Sequence, residues 1–177
     1  MRQTSKNVSP FSNEARNAYV IEHITDAILK LLEEKTIGDI SISELCDLAV
    51  IGRASFYRNF ESKEDILRRY INEIFKEWTD EADKKETRPL NELLCLLFAH
   101  FEKHKDFYSL LNERNLIYLL KDVIIGLYGP KPEHCKEESY ARAYVAYALY
   151  GWIEVWFQRG MQESAEEIVG MFKGQGL

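Results

Sequence analysis

The sequence predicts an all-α protein: a small three-helix head, joined through a fourth helix to a larger helical body, about nine helices in all. Three observations carry that prediction. Apolar residues recur at helical spacing from Val20 onward, and no stretch alternates apolar and polar residues as a half-buried strand would. Ser41 with Glu44, and Ser62 with Asp65, place a hydroxyl three residues before an acidic side chain, the signature of a helix start. Gly and Pro fall between the periodic stretches, most clearly in Gly129-Pro130-Lys131-Pro132.

Each element follows from the same signals. Residues 1–13 are polar, contain Pro10, and read as a flexible arm. Val20, Ile24, Ala27, Ile28, Leu31 and Leu32 mark a first helix ending near Lys35, with Gly38 in the loop beyond. Ser41 opens a second helix whose expected buried face is Ile42, Leu45, Leu48 and Ala49. Val50 to Gly52 is a turn and Arg53 to Phe60 a third helix. Ser62 opens the fourth, running through Ile66, Ile74 and Trp78 to about Asp83. The run DKKETRP ends it, because the residue before Pro89 disfavours helix. Further helices are expected from Leu90 to about Lys103, around Phe107 to Leu111, and from about Asn115 to Tyr128. A long apolar helix runs from Ser139 to Arg159, and a last one from Glu163 to Lys173. The expected domains are an arm (1–13), a head (14–74) with its helix-turn-helix at 41–60, and a body (75–177).

Composition narrows the function. A net charge of −6 argues against a chain that coats nucleic acid along its whole length, but leaves room for a local basic patch. Cys46, Cys95 and Cys135 lie far apart with no C-x-x-C pair, so neither a zinc site nor a redox motif is expected. Unclustered cysteines and a polar start without an apolar run read as reduced thiols in the cytoplasm. His23, His100, His104 and His134 show no metal-ligand spacing and read as surface or packing residues. No nucleophile–base motif, phosphate loop or carboxylate pair stands out; neither an enzyme nor a cofactor is expected.

The third helix carries the functional signal. On a helical wheel Phe56 and Phe60 share one side and would anchor it. Ala54, Ser55 and Arg58 lie opposite, flanked by Arg53 and Tyr57 on one edge and Asn59 on the other. Small residues let a backbone approach bases. Arg pairs bidentately with guanine, while Tyr, Ser and Asn more often bond phosphate oxygens. The start of helix four, with Lys63 in its first turn, offers a further phosphate site. The candidate DNA contacts are therefore Ser41, Gly52, Arg53, Ala54, Ser55, Tyr57, Arg58, Asn59 and Lys63. The same pattern also suits an ordinary solvated helix.

The segment IGRASFYRNFESKEDIL resembles the signature of the TetR family of bacterial transcriptional regulators, matched here by Ala49, Arg53, Ala54, Ser55, Phe56, Tyr57, Phe60 and Lys63. It departs at the turn, where Val50 replaces the usual glycine and Gly52 the usual capping serine. A β-branched residue is strained in a left-handed turn, so a different backbone geometry is expected at Val50. The stretches HFEKHKDFYSLL and YVAYALYGWIEVWFQRGMQESAEEIVGMF are similar to the C-terminal domain of a subgroup that includes dihydroxyacetone-kinase-type regulators. The resemblance implies a homodimer on a near-palindromic double-stranded operator, controlled by a small-molecule effector or partner, and more often repressing than activating. The competing reading is a helical module of the same fold that works through a protein partner.

Ala141 to Phe157 carries only Arg142 and Glu154 as charges and is shorter than the roughly 20 residues a bilayer requires. A helix apolar all round is buried all round. Ala146, Leu149, Tyr150, Ile153 and Phe157 are one face; Ala141, Tyr144, Ala148, Trp152 and Val155 are the other. One would face the core and one a second copy. With Ile168, Val169 and Phe172 of the last helix, the expected dimer residues are Ala141, Ala148, Trp152 and Val155. Trp78, Phe98, Phe101, Tyr108, Tyr118, Tyr144 and Tyr147 are candidate pocket residues, with core packing as the alternative. Glu154 would either meet a cationic ligand or be paired within the fold.

Overall fold

The computed structural model describes residues 13–82 and 90–174. Residues 1–12 of the expected arm (1–13) and the DKKETRP break lie outside the described residues, and Asn13 begins the first helix. Among those described, all regular structure is helical: α1 (Asn13–Glu34), α2 (Ile42–Leu48), α3 (Arg53–Asn59), α4 (Lys63–Ala82), α5 (Leu90–Lys103), α6 (Lys105–Glu113), α7 (Tyr118–Tyr128), α8 (Lys136–Gln158) and α9 (Ala165–Gly174). The chain divides into two compact units, one ending at Leu67 and the other starting at Arg68.

In the first unit α1 buries Ile21, Ile24, Ala27, Ile28, Leu31 and Leu32 along one stripe. α2 starts where Ser41 Oγ accepts the Glu44 N–H at 3.1 Å. Its buried stripe differs from the expected one: Leu45, Cys46 and Ala49 are buried, Ile42 is half-buried and Leu48 is 40% exposed. In a two-turn helix packed on α1 and α3, covering the Cys46 side of the stripe leaves the Leu48 side open. Burial and neighbouring Asp47 push the Cys46 thiol up, so it packs as an inert apolar group. α4 opens on a reciprocal capping box. Asp65 Oδ2 accepts the Ser62 N–H at 2.9 Å, and Ser62 Oγ accepts the Asp65 N–H at 3.2 Å.

The second unit is built on an aromatic core. Phe98 meets Trp156 edge-on at 5.1 Å, Phe101 meets Tyr108 at 4.8 Å, and Tyr108 stacks on Phe157 at 5.6 Å. His100 lies in this core, its Nε2 3.1 Å from the Tyr108 hydroxyl. Burial, with His104 and Lys103 nearby, pushes its pKa down to about 4, so it packs as a neutral ring. α7 starts only at Tyr118, since Asn115 takes a left-handed conformation with φ 57°. α9 starts at Ala165, behind a capping box that the periodicity reading overlooked: Ser164 Oγ accepts the Glu167 N–H, and Glu167 Oε2 accepts the Ser164 N–H. No described helix is long and apolar enough to cross a membrane. No group of acidic, His or Cys side chains among the described residues could hold a metal ion.

Candidate nucleic-acid interface

Helix α3 has only seven residues, so its orientation depends on anchors. Phe56 is wholly buried and Phe60, at its C-cap, is 5% exposed; their rings lie 5.9 Å apart. With these two held inward, Arg53, Ala54, Tyr57 and Arg58 all project to solvent. Tyr57 meets the Phe56 ring edge-on at 5.2 Å, which steadies the phenol while leaving the residue 62% exposed. Neither Arg53 nor Arg58 has an ion pair among the described residues. Gly52 caps the helix through its backbone alone, its carbonyl accepting the Ser55 N–H at 2.8 Å. Two cations, a phenol and a small residue thus share one open surface.

Other expected contacts are engaged within the unit. Ser55 is half-buried, and its carbonyl accepts the Asn59 amide at 2.8 Å, which folds Asn59 back along its own helix. Ser41 Oγ caps α2, leaving its O–H free to donate. Lys63 needs a correction. Its ammonium turns inward to the carbonyls of Ile37 and Ile40. That loop leaves carbonyls without backbone partners, and a three-donor ammonium satisfies two of them. Lys63 therefore ties the start of α4 to the loop after α1, instead of reaching outward for a phosphate.

The turn is a second correction. Val50 adopts φ 55°, the left-handed conformation that the sequence reading expected a β-branched residue to avoid, and is 79% exposed. The Ile51 N–H donates to the Cys46 carbonyl at 3.0 Å and holds the turn closed. The position thus keeps the backbone of a glycine turn while carrying an isopropyl group.

In the body, the seven candidate pocket residues differ in exposure. Phe98, Phe101 and Tyr108 are fully buried against one another. Trp78 is half-buried beside Phe75 and Tyr128, and its indole N–H has no hydrogen-bond partner among the described residues. Tyr118, Tyr144 and Tyr147 are 43%, 61% and 51% exposed. The apolar interior is filled by α5, α6 and α8 aromatics, which leaves these tyrosines at the surface. Glu154 accepts the Tyr150 hydroxyl at 2.9 Å, a pairing within α8.

The expected dimer residues also separate. Ala146, Tyr150, Ile153 and Phe157 of α8 point into the core. Ala141 and Val155 are exposed, and Ala148 and Trp152 half-buried. Ala148, Trp152 and Val155, with Tyr147, Gly151 and Met171, border an apolar groove of about 510 Å³. Val169 and Phe172 are the correction: they are at most 7% exposed and pack inside their own unit, where Phe172 stacks on Trp152 at 4.0 Å, while Ile168, 4% exposed, also borders the groove. A ten-residue helix with one strong apolar stripe turns that stripe to its own core, leaving Met171, 44% exposed, on the outside.

Two family models match the chain. The model for bacterial regulatory proteins of the tetR family matches residues 24–70, and a model for a transcriptional regulator C-terminal region matches residues 88–174. No curated protein matches the sequence. Among solved structures, the Listeria innocua protein Lin0861 superposes with a TM-score of 0.70 at 17% identity, covering 95% of this chain and 94% of its own. A TetR transcriptional regulator from Streptococcus agalactiae gives 0.60 at 17% identity, covering 90% and 94%. The dihydroxyacetone kinase operon activator DhaS gives 0.51 at 19% identity, covering 88% and 93%. At these identities the structures bear on fold, while the family rests on the two sequence matches. The chain belongs to the TetR family of DNA-binding transcriptional regulators.

Proposed function

We propose that the protein is a cytoplasmic, homodimeric repressor that binds a near-palindromic operator, each copy presenting one α3 to a major-groove half-site. A head of residues 14–74 would read DNA, and a body of residues 75–177 would pair the copies and respond to a ligand or partner. The observation that carries this reading is the open face of α3: Arg53, Ala54, Tyr57 and Arg58 are exposed, and neither arginine has an ion pair among the described residues, while Phe56 and Phe60 fix the helix behind them. Arg58 is assigned to base edges and Tyr57 to phosphate. Pairing is supported by the outward stripe of α8, where Tyr144, Tyr147 and Val155 are each more than half exposed. Soluble monomers rarely leave such a contiguous apolar face open, and a two-fold pairing covers it in both copies at once.

Control of DNA affinity requires an effector that binds two arrangements of the body unequally. The aromatic core is packed, so an effector or partner would act at the half-buried Trp78 or along the groove beside Tyr147 and Trp152.

Selection of bound duplexes from a random pool, followed by ultracentrifugation of the selected complex, tests the reading. A near-palindromic site bound by two chains is expected. Absence of salt-dependent binding to any duplex would sink it in favour of a protein-interaction module. A reporter behind the selected site then gives the sign: expression falls when the chain is supplied if it represses, and rises if it activates.

A further inference from the structure

Beside α3 lies an open notch of about 420 Å³. Arg16 and Tyr19 from the first turns of α1 form one wall, Val50 and Ile51 of the turn form another, and Gly52 and Ser55 close it against α3. Its chemistry is mixed in a particular way. It offers a guanidinium and a hydroxyl together with a continuous aliphatic and aromatic surface. A sugar–phosphate unit has the matching halves, an anionic diester and a C–H-rich ring.

Three further features point the same way. Val50 holds a strained backbone with its isopropyl group mostly in water. The turn joining α2 to α3 fixes that backbone, but the exposed isopropyl group gains no burial from it, and non-glycine residues kept in such conformations cluster at functional surfaces. A Cβ added at Gly52 would meet nothing within 4 Å, so the backbone there is open to close approach. Tyr19 is held in place before any ligand arrives: its ring stacks on His23 at 3.7 Å, and His23 Nδ1 donates to its carbonyl at 3.0 Å. Arg16 has no ion pair among the described residues.

We propose that this notch seats one sugar–phosphate unit of the operator backbone, making Arg16, Tyr19 and Val50 DNA-contacting residues beyond the reading helix. The proposal rests on the assignment of α3 to DNA, because Gly52 and Ser55 belong to both surfaces and the notch continues the same interface. Arg16 is the one cation lining the notch, so the site gives one localised phosphate contact and no broad basic surface. A phosphate contact positions the protein without reading sequence.

The test uses the full chain, its selected operator and a scrambled duplex, each titrated against salt. Arg16→Ala is expected to weaken binding to both duplexes roughly tenfold, and to reduce the slope of log affinity against log salt by about 0.9. Arg16→Lys should restore the slope. Tyr19→Ala and Val50→Gly should weaken both complexes with the slope unchanged. Val50→Gly relieves backbone strain, so its weaker binding cannot come from unfolding. An unchanged slope in Arg16→Ala, or wild-type affinity in Val50→Gly, overturns the proposal. Arg53→Ala and Arg58→Ala separate the two assignments. If they weaken binding while the notch variants do not, only the notch fails; if all leave affinity unchanged, the reading-helix assignment fails with it.

Discussion

The two units use their aromatic residues differently. In the first, a seven-residue helix turns Phe56 inward and Tyr57 outward, and the wheel position of each decides which it does. In the second, Phe98, Phe101, Tyr108, Trp156 and Phe157 make one interlocking core, while Tyr140, Tyr144 and Tyr147 of the same long helix stay outside. Local pattern suffices for a short helix with one partner face. A helix apolar on every side requires knowledge of which neighbours exist, and those neighbours are distant in sequence.

The largest expected effects break this contrast at its anchors. Phe56→Ala empties the centre of the reading unit and should cost about 3–5 kcal/mol, read as loss of the first unit's helical signal in denaturant melts. In the body, Val169→Glu puts an unpaired charge among buried groups and should cost on the order of 4 kcal/mol. Val155→Glu, on the exposed side of α8, should leave the melt nearly unchanged and abolish association in sedimentation at micromolar concentration. Equal destabilisation by the two glutamates would mean that the inward and outward sides of the body are wrongly assigned.

A middle-sized effect follows from His100. Its folded pKa, about 4, lies below the unfolded value of 6.5, so the unfolded chain binds the proton first. Stability is therefore full above pH 6.5, falls as pH drops toward 4, and levels off below. The loss is on the order of 2 kcal/mol after allowance for partial solvent screening. His100→Gln keeps a side chain able to bond Tyr108 without titrating, and should flatten that part of the urea-melt pH profile. No change in the profile would show that His100 is not the titrating group.

The smallest effects belong to the surface of the reading unit. Val50→Gly should stabilise it by about 1 kcal/mol by removing the left-handed Cβ penalty. Tyr57→Phe should shift stability by less than about 0.5 kcal/mol, while weakening DNA binding to a similar degree across sequences. A stability loss in Tyr57→Phe would reveal a packing role for the hydroxyl.

Much of the fold was legible because its signals are local. Ser41 and Ser62 cap the helices that they announce, and the periodicity from Leu90 to Lys103 marks α5 at both ends. The outward residues of α3 could be named because two phenylalanines define its inner side. The start of α9 was readable too, in Ser164 and Glu167, which repeat the hydroxyl-to-acid spacing of Ser62 and Asp65. What could not be read depended on separation. Lys63 is captured by carbonyls 23 and 26 residues earlier, a loop-to-helix tie that no spacing rule encodes. Ile168, Val169 and Phe172 look alike on a wheel whether they face a second copy or their own core. Val50 shows a different limit. Propensity argued against the left-handed turn, but the geometry joining α2 to α3 outweighs a penalty of about 1–2 kcal/mol.

The placement of the indoles has a practical consequence. All three tryptophans of the chain, Trp78, Trp152 and Trp156, fall after Leu67, so the reading unit contains none. Intrinsic indole emission is therefore a label for the body alone, already installed and needing no substitution. Trp156 is only 1% exposed, but Trp152 stacks on Phe172 at the edge of the groove, where water reaches it. Its emission should move to shorter wavelength as protein concentration rises and a second copy excludes that water. The same cuvette would stay silent to events confined to α3, so pairing and DNA reading could be timed separately in one unmodified protein.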